Sequence, residues 1–371
     1  MVIMNVTLNN LYAFRNFNIN LSYPKKIVDS YIEEEYLLDR PNFRYKKAIV
    51  LMGANASGKT SLGRIMLKIF NMIDRQEISG LFSMVDDASK EASFSMDFII
   101  DQPVMYRVYG KIAPRANENE RPRVFLDVHN VDIGKNDSYE RCAEKLDKQE
   151  IQYTDNYLDA LKKIPGIGWA FQLTENAFDV PKLHFNSDKR IHILETVMKV
   201  LDPSIQKITK LDNVEDSFVI HLDHRKIIVQ DGKVINTNLL SSGTYRGIFV
   251  ADILSRIIEG ENGFYYIDEK FSFIQSDVEK TILAIMINNL GNYDQLFFTT
   301  HNIDILDIPY PKHTFMFLKK NMENPEMPIS VINASDYLKR NTDSLRCAVD
   351  NDLFGITPNV DSLFELETYK E

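Results

Sequence analysis

Cysteine is nearly absent: Cys142 and Cys347 are the only two among 371 residues. That leaves no spacing for a zinc site or a disulfide framework, so a reducing compartment, the cytoplasm, is expected. Long apolar runs are missing too. Ala48–Met52 and Phe264–Ile267 are strand-length, far short of the ~20 residues a membrane-spanning helix needs. Met1–Leu21 has no basic head followed by an apolar core, so no signal peptide is expected. No heptad pattern, internal repeat or low-complexity tract is visible, which excludes long coiled-coil arms. Positive charge is in deficit, with 43 Lys and Arg against 53 Asp and Glu, a net charge of −10. A protein that coats nucleic acid through its phosphates has the opposite balance. The local basic clusters, Lys25-Lys26 and Arg44–Lys47, read as solvated surface. Nucleic-acid contact is left to such patches and is not argued by the charge.

What is present is ordinary for a globular protein: 44% hydrophobic and 26% charged residues, enough chain for one large domain or two smaller ones. Met1–Leu21 alternates as two strands, and Tyr23–Tyr45 is a polar excursion. Ala48–Met52 is a continuous apolar run, as a buried parallel strand requires. A glycine-rich segment, Gly53–Lys59, follows, and Ser61–Ile73 has helical spacing. Ser93–Ile112 reads as two strands. Residues 113–186, with Pro114, Pro122, Pro165 and Pro181, read as a partly helical insertion forming a lid or small subdomain. Asp188–Leu201 is an amphipathic helix stopped by Asp202-Pro203. Strands at Phe218–Leu222 and Lys226–Val229, a helix over Thr244–Ile258, a buried strand at Phe264–Ile267, a helix over Ser276–Leu290 and a buried strand at Gln295–Thr299 complete the pattern.

Four segments carry chemistry. Gly53-Ala54-Asn55-Ala56-Ser57-Gly58-Lys59-Thr60, followed by Ser61, matches G-x-x-x-x-G-K-[ST] in full, between a strand and a helix. Its glycines let successive N–H groups face phosphates at a helix N-terminus. Lys59 supplies a point charge for the β- and γ-phosphates, and the Thr60 hydroxyl is a hard oxygen suited to Mg²⁺. Phe264–Ile267 delivers Asp268 and Glu269 at a strand end. Successive strand residues diverge, so Asp268 is expected on Mg²⁺ and Glu269 on the attacking water as general base. Alone, that pair is more often a strand end in solvent; after a phosphate loop it gains weight. His301, after the strand Gln295–Thr299, is a candidate to polarise or sense the γ-phosphate, against a capping or core histidine. Ser241, Ser242 and Gly243 open a helix and suit an anion, against a plain N-cap.

In this order the four segments resemble the ABC-type ATPase head of SMC, RecF-like and overcoming-lysogenization-defect (OLD) proteins. The resemblance makes Gly53–Thr60 the Walker A loop, Leu240–Thr244 the signature, Asp268-Glu269 Walker B and His301 the switch histidine. Serine at 242 is common in OLD-like and abortive-infection AAA-type ATPases. Leu201–Pro203 and Leu345–Pro358 resemble later landmarks of the group. Ser272–Ser276 departs from it, since relatives often carry a histidine-proline pair there. A glutamine equivalent to the family's Q-loop is not assigned; Gln76 and Gln102 are the candidates.

The fold expected is an α/β P-loop NTPase of the ABC-ATPase head type: an N-terminal part over 1–112, an inserted lid over 113–204 and a C-terminal part over 205–371. The resemblance implies ATP and Mg²⁺ as ligands and copies closing over the nucleotide as a homodimer or a higher assembly. The interval from Walker A to signature is longer than transporter subunits carry. The ~70 residues after His301 are too few for a nuclease domain of the OLD kind. The architecture then resembles anti-phage defence ATPases that work with a separately encoded effector, a nuclease or toxin. The alternative is a RecF-like DNA-maintenance clamp.

Overall fold

A computed structural model describes residues 1–27, 30–115, 120, 122–173, 183–211, 214–235, 239–261, 263–340, 342–357 and 361–364. Pro181 and Pro358, named above as landmarks, lie outside them.

In chain order, β1 (Val2–Asn9) and β2 (Phe17–Asn20) come first, then the short β3 (Tyr36–Leu37) and β4 (Arg40–Arg44). β5 (Ala48–Met52) leads through the glycine loop into α1 (Lys59–Arg75), followed by α2 (Ser79–Phe82). β6 (Ala92–Ile99), β7 (Val104–Ile112), β8 (Val124–Asp132), α3 (Tyr139–Asp147), α4 (Tyr157–Leu161) and β9 (Trp169–Gln172) come next. After α5 (Asp188–Leu201) there are four strands: β10 (Ile205–Lys210), β11 (Phe218–Leu222), β12 (Lys226–Gln230) and β13 (Lys233–Val234). The chain continues with α6 (Ser242–Glu259), β14 (Phe264–Asp268), α7 (Ser276–Asn288), β15 (Gln295–Thr299), β16 (Phe315–Lys320) and β17 (Ile329–Asn333).

The central sheet has six strands in the order β17-β16-β5-β15-β14-β9. All its pairings are parallel except that of β17 with β16. Its middle strands are apolar runs because both faces are covered. Ile49 and Leu51 of β5, Phe264 and Tyr266 of β14 and Phe297 of β15 face one core, built with α1 and the five-stranded antiparallel sheet β2-β1-β6-β7-β8. Ala48, Val50, Tyr265, Ile267, Leu296 and Phe298 face a second core, built with α5, α6, α7 and the four-stranded sheet β10-β11-β12-β13.

Much of the chain expected as a separate lid is laid into these sheets. β8 pairs with β7 along its whole length, and β9 pairs in parallel with β14. α5 starts on Ser187, whose hydroxyl accepts the Arg190 N–H, and it packs on α6. Tyr23–Tyr45, read from the sequence only as a polar excursion, holds the β3–β4 ribbon. Buried Glu35 pins it to the core through a 2.7 Å contact with His313 Nε2. No helix among the described residues is long and apolar enough to cross a membrane.

Candidate functional site

Parallel pairing brings the strand ends into line. Thr299 of β15 is in register with Asp268 of β14 and with Leu51 of β5, just before the glycine loop. In an open α/β sheet this C-terminal edge is where ligands sit.

The loop after β5 needs its glycines. Gly53 has φ +153° and Gly58 φ +107°, and a Cβ on Gly53 would come within 2.5 Å of the Leu318 carbonyl oxygen. Ser57 is buried and its Oγ has no hydrogen-bond partner among the described residues. Lys59 is 4% exposed. Its ammonium donates to the carbonyls of Gly53 at 2.9 Å and Ala54 at 3.2 Å, curling back over the loop. Asn55 and Ala56 are exposed on the loop's outer side, and Ser61 is in the first turn of α1. The start of α1 is fixed to the sheet by the Tyr266 hydroxyl, which donates to the Lys59 carbonyl at 3.0 Å.

The two adjacent carboxylates separate. Asp268, fully buried, accepts the Thr60 hydroxyl on Oδ2 and the Thr299 hydroxyl on Oδ1, each at 2.8 Å. Glu269 turns away with φ +51°. Its N–H is shared between the Thr299 carbonyl and hydroxyl, both at 3.1 Å. Glu269 Oε1 lies 3.6 Å from Lys59 Nζ and 2.7 Å from His301 Nε2. His301 beside it holds the Glu269 carboxyl below the ordinary glutamate value, against the opposing effect of burial. Burial lowers the Lys59 ammonium, while Glu269 and Asp268 resist the change. Lys59, Thr60, Asp268, Glu269 and His301 thus form one connected group.

Ser241, Ser242 and Gly243 stand apart from it. No hydrogen bond or ion pair joins them to Gly53–Thr60 among the described residues. Ser241 is the N-cap of α6: its Oγ accepts the Thr244 N–H at 3.1 Å, a bond of the kind worth about 1 kcal/mol. Ser242 is exposed. Gly243 packs so tightly that a Cβ there would lie 2.6 Å from the Phe273 carbonyl oxygen.

Two residues join this region without a motif to announce them. Arg246, one turn into α6, donates to the Glu269 carbonyl at 3.2 Å and lies 4.3 Å over the Phe273 ring. It ties α6 to the loop after β14. Gln172 ends β9 in register with Ile267, is 1% exposed, and its Oε1 accepts no hydrogen bond among the described residues. Buried acceptors are rarely left so. Gln76 caps the far end of α1 and Gln102 lies in the β6–β7 turn, both exposed. The available signal for Gln172 was a short apolar run, Trp169–Phe171, ending in a polar residue.

The fold is of the ABC-type P-loop kind. The structure is similar to that of the SmcHead bound to the C-winged helix domain of ScpA (TM-score 0.54, 13% identity, 92% of this chain and all of that one). It is also similar to the Smc head domain with an extended coiled coil bound to the C-terminal domain of ScpA derived from Pyrococcus furiosus (TM-score 0.52, 12% identity, 91% of this chain and 98% of that one). At such identity the likeness shows the fold. No protein-family model matches the sequence, and no curated protein matches it.

Proposed function

We propose that the chain binds and hydrolyses ATP with Mg²⁺, that two copies close over the nucleotide, and that this state controls a separately encoded nuclease or toxin in anti-phage defence. The observation that carries the ATPase reading is the connected group around Glu269: a loop cation, a hydroxyl, two carboxylates with different neighbours and an imidazole at one sheet edge. Lys59 and the N–H groups of the 53–60 loop bind the phosphates. Thr60 and Asp268 offer hard oxygens 2.8 Å apart, a donor set that suits Mg²⁺ keeping several of its waters. That ion supplies positive charge beside the phosphates. Glu269 orients and deprotonates the attacking water, and His301 holds the carboxylate and meets the γ-phosphate. Ser241 and Ser242, exposed at a helix N-terminus and bonded to no residue of the chain's own loop among the described residues, serve with Gly243 the nucleotide bound on a second copy. The effector role rests on the resemblance to defence ATPases.

The test is ATP turnover and ATP binding by wild type and Lys59→Ala. Wild type is expected to hydrolyse ATP, and Lys59→Ala to lose nucleotide affinity by about tenfold or more, as removal of a charge-assisted contact predicts. Equal binding by the two would remove Lys59 from the site.

A further inference from the structure

His301 stands on a short loop between β15 and a 3-10 turn (Ile303–Asp307), and one side chain holds the residues on either side of it. Glu279, in the first turn of α7, is 2% exposed. Its Oε1 accepts the Thr300 hydroxyl at 2.8 Å, and its Oε2 accepts the Asn302 amide at 2.6 Å. The same Asn302 amide donates to Ser276 Oγ at 2.9 Å. Thr300 Oγ1 accepts the Asn302 N–H, and Asn302 Oδ1 accepts the Asp304 N–H, each at 3.0 Å. The loop has no strand or helix of its own, so these bonds define its course.

Among the described residues Glu279 is paired with neutral donors and no cation, and a buried carboxylate so placed is an expensive scaffold because its desolvation is offset by no opposite charge. Burial pushes the Glu279 carboxyl above its ordinary value, and the nearby Asp304 adds to the effect. A serine or glutamine would tie down a loop at lower cost. Buried groups of this kind concentrate at functional sites.

We propose that Glu279 is a positioning residue for His301: it grips Thr300 and Asn302 so that the imidazole meets Glu269 at 2.7 Å. This rests on the ATPase reading, and it adds a path from α7, directly after the loop that follows Walker B, to the switch histidine. A change in that loop moves the first turn of α7, and Glu279 passes the movement to His301.

The test is a donor–acceptor swap. Asn302→Asp keeps the cap on Asp304 but sets an oxygen against the Glu279 carboxylate. Glu279→Gln combined with Asn302→Asp restores complementarity, with the new amide donating to the new carboxylate and its oxygen still accepting from Thr300. Asn302→Asp is expected to lower kcat about ten- to a hundredfold, the range for losing a buried charge-assisted bond. ATP affinity should stay within about twofold, since neither residue touches the phosphate loop. The double variant should recover most of kcat, and Asn302→Asp should add nothing in a His301→Ala background. Wild-type turnover by Asn302→Asp, a loss that the folded double variant fails to recover, or a further loss beyond His301→Ala would each overturn the proposal. An inactive wild type would overturn the proposed function instead. The imidazole NMR signal of His301 still decides the positioning in that case: displaced by Asn302→Asp and returned by the swap it stands, and unmoved it falls.

Discussion

Glu269→Gln keeps the shape of the side chain and removes its charge from a position where two groups depend on it. Oε1 is 2.7 Å from His301 Nε2 and 3.6 Å from Lys59 Nζ. Loss of a general base is expected to lower kcat about 10²–10⁴-fold. Nucleotide affinity should move the other way. At 3.6 Å and an effective dielectric of about 20, the Lys59–Glu269 attraction is ~4–5 kcal/mol. The Glu269 side chain is 19% exposed, so solvent screening discounts that figure. If roughly 1.4 kcal/mol of it is released to the phosphates, ATP binds about tenfold more tightly. The assay pairs phosphate release under saturating ATP with equilibrium binding of a fluorescent ATP analogue. The expected pattern is slow turnover with unchanged or tighter binding. Wild-type turnover would remove Glu269 from the role of base. Binding weakened by more than about tenfold would make the carboxylate part of nucleotide recognition.

Chelation of divalent metal should abolish turnover and Mg²⁺ should restore it, because Thr60 and Asp268 are an all-oxygen pair; full hydrolysis in chelator would contradict that assignment. Ser242→Arg places bulk and charge at the exposed start of α6 and should lower turnover at least about tenfold if a second copy's nucleotide docks there. Normal hydrolysis by this variant would leave Ser241–Gly243 as a helix cap alone. Lys270 is 8% exposed, lies 4.9 Å over the Phe249 ring, and burial lowers its ammonium to about 8. With the folded value below the unfolded one, stability rises with pH between about 8 and about 10.5 and the charge penalty is fully present at pH 7. Lys270→Met should therefore stabilise the fold at pH 7, by up to roughly 3 kcal/mol, and the gain should vanish above about pH 10.5. A gain independent of pH in denaturant titrations would refute this account.

The sequence speaks clearly wherever burial is two-sided or a helix carries both its ends. Ala48–Met52, Phe264–Ile267 and Leu296–Phe298 are apolar on consecutive residues because each sits between two cores. Asp188–Leu201 has Ser187 as its cap and Pro203 just beyond its end. Residues 113–186 were opaque for a physical reason. β8 is an edge strand, and its polar positions Asp127 and His129 pair with each other at 2.8 Å. β9 is only four residues long and owes its place to β14. The β3–β4 ribbon likewise depends on contacts distant in sequence, such as Glu35 with His313. Motif spacing points to Lys59, Asp268, Glu269 and His301, but not to Arg246, Gln172 or Glu279, whose placement appears only when the strands are paired.

The strands β14 and β15, which lead to Asp268 and to His301, are covered on both faces, with Tyr266 and Phe297 in one core and Tyr265, Ile267 and Phe298 in the other. Neither half of the molecule can open without uncovering them. Backbone amides of Tyr265–Asp268 and Leu296–Thr299 should accordingly exchange with solvent only through global unfolding, while outer elements such as the β3–β4 ribbon exchange by local fraying. The site is then lost all at once, in the same step as the fold, and a destabilising change in either core lowers the population of competent sites without altering those that remain.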